Sequence, residues 1–205
     1  MESYKNPDVL VIGSGIAGLS IALRLPDNKN ITLITKGMID ECSTSWAQGG
    51  IASVTSKTDS FTKHLDDTID NGQGIVNKQI ASDIIKEGPS CIAWLTDMGV
   101  NFTRDNNDDI SLTLEAAHSE RRILHVDDKT GSIIHDNLYK QVLERKNIKI
   151  LYEHQIIDII SENEVMNKNR CIGAYVLNKQ TNKIESYSAK NIVLATGGAS
   201  KIYQF

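Results

Sequence analysis

Gly13, Gly15 and Gly18 stand at the spacing of a phosphate-binding turn, with Ser14, Ile16 and Ala17 between them. Each glycine has its own task in such a turn. Gly13 lets the chain leave a strand sharply, Gly15 offers no side chain to obstruct a pyrophosphate, and Gly18 lets the next helix lie close to the strand. The phosphates then meet backbone N–H groups at the positive end of the helix dipole. That spacing alone is weak evidence, so its surroundings decide. Asp8-Val9-Leu10-Val11-Ile12 precedes it as a buried strand, and Leu19, Ala22, Leu23 and Leu25 follow at helical spacing. Ile31-Thr32-Leu33-Ile34-Thr35 supplies a second buried strand. A strand, glycine turn, helix and strand within ~30 residues form a dinucleotide-binding unit.

The end of the second strand bears on which dinucleotide. A strong NAD signal is an Asp or Glu there, bonded to the ribose. This chain reads Thr35-Lys36-Gly37 instead. Loss of one charge-assisted bond, ~1.5–3 kcal/mol, costs tenfold or more in affinity. NAD is disfavoured. FAD remains, because its larger body offers other contacts, and NADP remains, because a cation at Lys36 suits a 2′-phosphate.

Other residues invite chemistry with less support. His118, His125 and His135 with Asp127 and Asp128 lack the tight spacing of a metal motif, and no metal is expected. Arg121 and Arg122 have the chemistry to grip a substrate carboxylate, or to pair with Glu120 or Asp127. Cys42, Cys91 and Cys171 are odd in number and far apart, which fits neither a disulfide framework nor a zinc cluster. A reducing cytoplasm is the simplest setting.

The elements that position these groups read as one α/β domain over residues 1–205. The tract 37–57 is poor in charge and reads as loop with a short helix. Asp59 is placed to cap a helix carrying Phe61, Leu65 and Ile69, and Asn77 to cap another carrying Ile80, Ile84 and Ile85. Gly88-Pro89 is expected to kink or break that second helix before Gly99 ends it. A further helix follows Thr130-Gly131. Strands are expected over 148–152, 155–161, 171–178, 183–189 and 191–195, with turns at Asn167-Lys168-Asn169 and Gln180-Thr181-Asn182.

Composition excludes several classes. Of the 205 residues, 22 are Lys or Arg and 26 are Asp or Glu, a formal net charge of -4, so no broad basic field invites nucleic acid. No apolar run approaches the ~18 residues of a membrane span. Forty per cent hydrophobic residues exclude a disordered chain.

Three longer segments carry a family resemblance. Ser43-Thr44-Ser45-Trp46-Ala47-Gln48-Gly49-Gly50-Ile51-Ala52 resembles a segment of the flavoproteins that include succinate dehydrogenase, fumarate reductase and L-aspartate oxidase. Glu115 to His125, followed by Asp128-Lys129-Thr130-Gly131, resembles the L-aspartate oxidase form of the next block. Val193 to Tyr203 resembles the family's strand-end turn. In succinate dehydrogenases and fumarate reductases a histidine one residue before the Thr commonly bonds covalently to the flavin. Ser43 stands there in this chain, so the resemblance implies non-covalent FAD and the L-aspartate oxidase branch.

That resemblance implies a Rossmann-like FAD-binding domain, a parallel sheet with helices and an added antiparallel β-meander, incomplete at the C-terminus. Gly13, Ser14, Gly15, Ile16, Ala17 and Gly18 would lie along the pyrophosphate and Lys36 near the adenosine. Ser43, Thr44, Ser45, Trp46, Ala47, Gln48, Gly49 and Gly50 would wrap the isoalloxazine. Gln155 and Ile156 would meet the adenine by their backbone, or form an ordinary strand edge. Glu115 would orient the substrate: its carboxylate pairs with the α-ammonium of L-aspartate, which succinate and fumarate lack. The implied reaction takes L-aspartate to iminoaspartate, with O2 or fumarate as final oxidant, ahead of quinolinate synthase in NAD biosynthesis. A fumarate reductase or succinate dehydrogenase flavoprotein, or a non-catalytic FAD-binding remnant, are the alternatives. The resemblance places the capping domain, the substrate arginines and the C-terminal helices beyond Phe205, and these 205 residues alone are expected to be inactive. Ala116-Ala117 stand where the family usually has Gly-Gly, a departure that matters if positive φ is needed there.

Overall fold

The computed structural model describes residues 5–164 and 168–198. Asn167 of the expected turn cluster and the stretch from Ala199 to Tyr203 lie outside the described residues. In chain order the elements are β1 (Val9–Ile12), α1 (Ile16–Arg24), β2 (Ile31–Ile34), α2 (Ser43–Trp46), β3 (Ile51–Ala52), α3 (Phe61–Asn71) and α4 (Lys78–Asp97). They continue with β4 (Leu112–Thr113), β5 (Ile123–Leu124), α5 (Thr130–Glu144), β6 (Ile148–Leu151), β7 (His154–Glu164), β8 (Lys168–Asn178), β9 (Lys183–Ser188) and β10 (Asn191–Leu194). The chain forms two compact units, residues 1–46 with 138–205, and residues 47–137.

The first unit is built on a four-stranded parallel sheet in the order β10-β1-β2-β6. Every residue of β1 and β2 is buried, which is why both read as unbroken apolar runs. The alternation of side chains divides β1 between two layers. Leu10 and Ile12 pack with Ala174, Val176 and Tyr187 of the meander β7-β8-β9, while Val11 faces α1 near Gly18. The parallel sheet with helices and an antiparallel addition is the fold class expected from the sequence.

β7 and β8 run longer than expected, β8 already beginning at Lys168, while β9 ends one residue early at Ser188. A register shift between Ile156 and Asp158 in the β7–β8 pairing leaves Ile157 as the extra residue of a bulge.

The second unit carries α3, α4 and a three-stranded sheet in the order β3-β5-β4. Two local expectations change here. Ser60, not Asp59, caps α3, its hydroxyl accepting from Lys63 N–H at 3.2 Å. Asp59 is committed elsewhere, to Arg122. α4 runs unbroken through Pro89, because Ile85 on one side of the proline and Ile92 and Leu95 on the other bury one continuous stripe. That burial outweighs the single backbone hydrogen bond which proline removes. Asn77 caps α4 as expected, Oδ1 accepting from Ile80 N–H at 3.1 Å.

Candidate cofactor and substrate site

In the first unit the sheet order creates a topological switch point. β1 is joined to β2 on one side through α1 and has β10 on the other. In such sheets ligands bind outside the carboxyl ends of the strands at this point. The turn that leaves β1 there is tightly packed. Gly13 has φ +117°, and a Cβ on it would collide with the Ala195 carbonyl just past β10. A Cβ on Gly18 would collide with the Gly13 carbonyl, so the helix approaches the strand as closely as only glycine permits. Gly15 differs: the nearest atom to its added Cβ is Thr44 Oγ1 at 3.5 Å. Its face is open, as a pyrophosphate cradle requires.

The turn is braced from behind. Ser14 is buried, its hydroxyl 3.0 Å from Thr35 Oγ1 and 3.2 Å from the Ile39 carbonyl. Ser14 therefore faces the protein with its side chain and can serve a ligand through its backbone. Gly15 is the N-cap of α1 and supplies no capping side chain. Thr44 supplies one, Oγ1 accepting from Ile16 N–H at 3.1 Å. Thr35 and the Ala195–Gly198 turn were not singled out as site residues from the sequence. A Gly-Gly pair shortly after a strand was the available signal, and Gly197 takes φ +74°.

The remaining first-unit residues fall around the same strand ends. Lys36 is exposed, one residue past buried Thr35, whose carbonyl accepts from His154 N–H at 2.9 Å. That bond brings Gln155 and Ile156 to the end of β2. β7 is an edge strand of its sheet, so backbone groups on its outer side are open to a ligand. Ser43, Thr44, Ser45 and Trp46 form the single turn α2, and Trp46 is 81% exposed. A cleft of about 380 Å³ lined by Asp8, Ile21, Leu25 and Lys190 lies at the opposite, amino ends of the strands. It is remote from the glycine turn and does not belong to this site.

In the second unit Ala47, Gln48 and Gly49 are exposed, and Gly50 is pressed against β5, where a Cβ would collide with the Leu124 carbonyl. Glu115 lies two residues beyond β4, exposed, and its carboxylate makes no ion pair or hydrogen bond among the described residues. β3 and β4 flank β5 and run in the same direction. Gly50 and Glu115 therefore leave opposite ends of two-residue strands.

Behind Glu115 sits a buried charge cluster that the sequence did not reveal. Arg122 is fully buried and forks onto Asp59, Nε to Oδ2 and Nη2 to Oδ1, both 2.8 Å. Its Nη1 donates to Asp67 Oδ2 and lies 3.2 Å from His118 Nδ1. Expected partners Glu120 and Asp127 play no part: Glu120 pairs with Lys63. Burial disfavours charge on Asp59 and Asp67, yet the bonds from Arg122, Ser60 and Ser119 outweigh it and hold both carboxyls below the usual range. Burial first, then the charges of Arg122 and His118, keep His64 below the ordinary histidine value. Among the described residues no group of three or more His, Cys, Asp or Glu is arranged to hold a metal ion. No helix of the described chain is long and apolar enough to cross a membrane.

A topological switch point, an open Gly15 and a braced helix N-terminus define a dinucleotide-binding protein. Comparison with known proteins agrees: residues 8–205 match the FAD binding domain family, and the chain belongs to it. FAD, not NADP, is the cofactor. The chain is 41% identical over 213 residues to the L-aspartate oxidase of Pseudomonas aeruginosa, covering 100% of this chain and 40% of that protein. It is 43% identical to the L-aspartate oxidase of Yersinia pestis, covering 97% of this chain and 38% of that protein. The chain thus spans about two fifths of these relatives. Among solved structures, quinol fumarate reductase FrdA of E. coli matches with a TM-score of 0.90 and 26% identity, over 98% of this chain and 34% of that one. Sdh1 of Mycobacterium smegmatis matches with a TM-score of 0.86 and 27% identity, over 97% of this chain and 35% of that one.

Proposed function

We infer that residues 1–205 are the FAD-binding part of an L-aspartate oxidase. The observation that carries the reading is Glu115: an exposed carboxylate with no partner among the described residues, in a chain 41% identical to the L-aspartate oxidase of Pseudomonas aeruginosa. Its charge suits an α-ammonium and would repel a plain dicarboxylate. Ser14, Gly15, Ile16 and Ala17 lie along the FAD pyrophosphate, with backbone N–H groups of the turn as donors except that of Ile16, which Thr44 takes, and Gly13 and Gly18 shape that turn. Lys36, Gln155 and Ile156 serve the adenosine end. Ser43 to Gly50 lie along the isoalloxazine, held without a covalent bond because Ser43 cannot form the histidyl link. Bound FAD supplies the acceptor for the hydride of Cα, and the chain's task is to orient Cα against it.

The whole reaction takes L-aspartate to iminoaspartate, with O2 or fumarate as the final oxidant. Iminoaspartate then feeds quinolinate synthase on the way to NAD. Cys42, Cys91 and Cys171 form no disulfide, which fits a reducing cytoplasm as the setting. Fumarate reduction is the second reading, favoured by the TM-score of 0.90 to a fumarate reductase. Anaerobic addition of L-aspartate to the FAD-loaded complete polypeptide separates the two. Bleaching of flavin absorbance by L-aspartate but not by succinate is expected; bleaching by succinate alone would assign the protein to the dehydrogenases. Glu115→Gln should weaken L-aspartate turnover ~10–100-fold, the worth of one charge-assisted bond.

A further inference from the structure

The turn that carries Glu115 is tied to α3 at successive residues. Glu115 offers its own carbonyl to His118 N–H at 3.3 Å. The His118 ring stands edge-on to His64, centroids 5.6 Å apart, and its Nδ1 meets Arg122. Ser119 gives both its backbone N–H and its hydroxyl to Asp67 Oδ2, at 2.9 and 2.8 Å. Glu120 closes the run on Lys63. His64, Asp67 and Lys63 all project from α3, and Arg122, forked onto Asp59, joins the far end of the turn to the same cluster.

Such a density of bonds is unusual for an exposed segment, where chain entropy favours motion. Burying Arg122 and Asp59 completely also incurs a desolvation cost that a surface ion pair would avoid. A tethered turn gives that cost a purpose. The carboxylate of Glu115 has no partner among the described residues, so its position there is set by the backbone beneath it.

We propose that Asp67 and Ser119, with Arg122 behind them, are positioning residues for substrate: they hold the 115–120 turn on α3 so that Glu115 meets the α-ammonium in a fixed place. This rests on the reading of Glu115 as the substrate-orienting carboxylate. None of the three touches the substrate; they act through Glu115. Preorganisation of this kind lowers the cost of ordering a binding group at the moment of binding.

The test uses the FAD-loaded complete polypeptide. Arg122→Met removes a buried charge partner and risks the fold, so the informative variants are Ser119→Ala and Asp67→Asn, with Ser119→Thr as the conservative rescue. Hydrogen exchange at the 118–120 amides should quicken ~10-fold or more in Asp67→Asn, while α4 amides and flavin content stay unchanged. The Ser119 hydroxyl donates to an ionised carboxylate, a bond whose direct loss corresponds to ~10-fold or more; relayed through Glu115 only part of that reaches the substrate, so the Kd for L-aspartate should rise ~2–10-fold in Ser119→Ala and recover in Ser119→Thr. In a Glu115→Gln background the same Ser119→Ala change should leave the Kd unaltered. An equal rise with and without Glu115 would overturn the proposal, as would faster exchange with unchanged Kd. If Glu115→Gln by itself leaves L-aspartate binding intact, the reading of Glu115 fails, whatever the exchange data show about the tether.

Discussion

Thr44 Oγ1 accepts the Ile16 N–H at 3.1 Å across a sequence separation of 28 residues, and so caps a helix to which it does not belong. The helix is the one proposed to present its N-terminus to the FAD phosphates, and Thr44 lies in the short turn proposed to lie along the isoalloxazine. One hydroxyl therefore couples the two segments expected to grip opposite parts of the cofactor. Thr44→Val keeps the shape and removes the acceptor. Loss of a side-chain cap costs ~1 kcal/mol. Denaturant unfolding should show that loss for Thr44→Val and little for Thr44→Ser. Equal midpoints for wild type and Thr44→Val would show the bond to be without energetic weight.

Gly15 offers a separation of ligand from fold. Its added Cβ meets only Thr44 Oγ1, at 3.5 Å, so the protein itself tolerates a side chain there. Gly15→Val should fold, with far-UV circular dichroism unchanged, and should be purified colourless because the isopropyl group fills the pyrophosphate position. Gly13→Val is the contrast: a Cβ there collides with the Ala195 carbonyl at φ +117°, so stability itself should fall. Yellow Gly15→Val protein with wild-type flavin content would remove the turn from the cofactor site.

How much of this was legible in the sequence depends on the range of each interaction. The glycine turn, β1 and β2 were readable because buried parallel strands are continuous apolar runs and the turn chemistry is local. The caps were readable in kind, and at α3 the choice fell on the wrong neighbour, since Asp59 and Ser60 are both good caps and only the tertiary demand of Arg122 tells them apart. Pro89 misled for a similar reason: the local rule against proline yields to an apolar stripe on both sides of it. The Arg122–Asp59 pair spans 63 residues, and no local pattern announces it.

Ser43 stands exposed at the start of α2. A serine hydroxyl cannot take the place of the histidine that bonds the flavin covalently in succinate dehydrogenases. Acid or heat denaturation should therefore release all the flavin into the supernatant. Fluorescence that stays with the denatured chain on a gel would refute the non-covalent assignment.

The buried cluster also fixes the direction of pH dependence. Asp59 and Asp67 titrate below their ordinary range, so they stabilise the fold above the unfolded carboxylate value of ~3.9 and lose that contribution as pH falls through their lower folded values. His64 is held below its ordinary ~6.5, so the unfolded chain takes up that proton first and stability declines as pH drops beneath ~6.5. Denaturant unfolding between pH 8 and ~2.5 should show a gentle decline below ~6.5 and a steeper one below ~4. His64→Gln should flatten the upper part and leave the acid part in place. A wild-type stability that rises between pH 7 and 5 would contradict the sign for His64.

Ala117 is strained where the family's glycine would not be. Its φ of +65° lies in the left-handed region, in the turn directly after Glu115. For a residue with a Cβ this conformation costs ~1–2 kcal/mol, whereas glycine takes it freely. Glycine in turn loses ~0.5–1 kcal/mol through its greater freedom in the unfolded chain. The first figure exceeds the second, so Ala117→Gly should stabilise the protein slightly, by up to ~1 kcal/mol. Ala116, which is not among the positive-φ residues, should show the opposite sign, because Ala116→Gly gains flexibility and relieves nothing. Urea unfolding of the two single variants against wild type makes the comparison. Destabilisation of the same size in both would show that the turn at Ala117 carries no backbone strain.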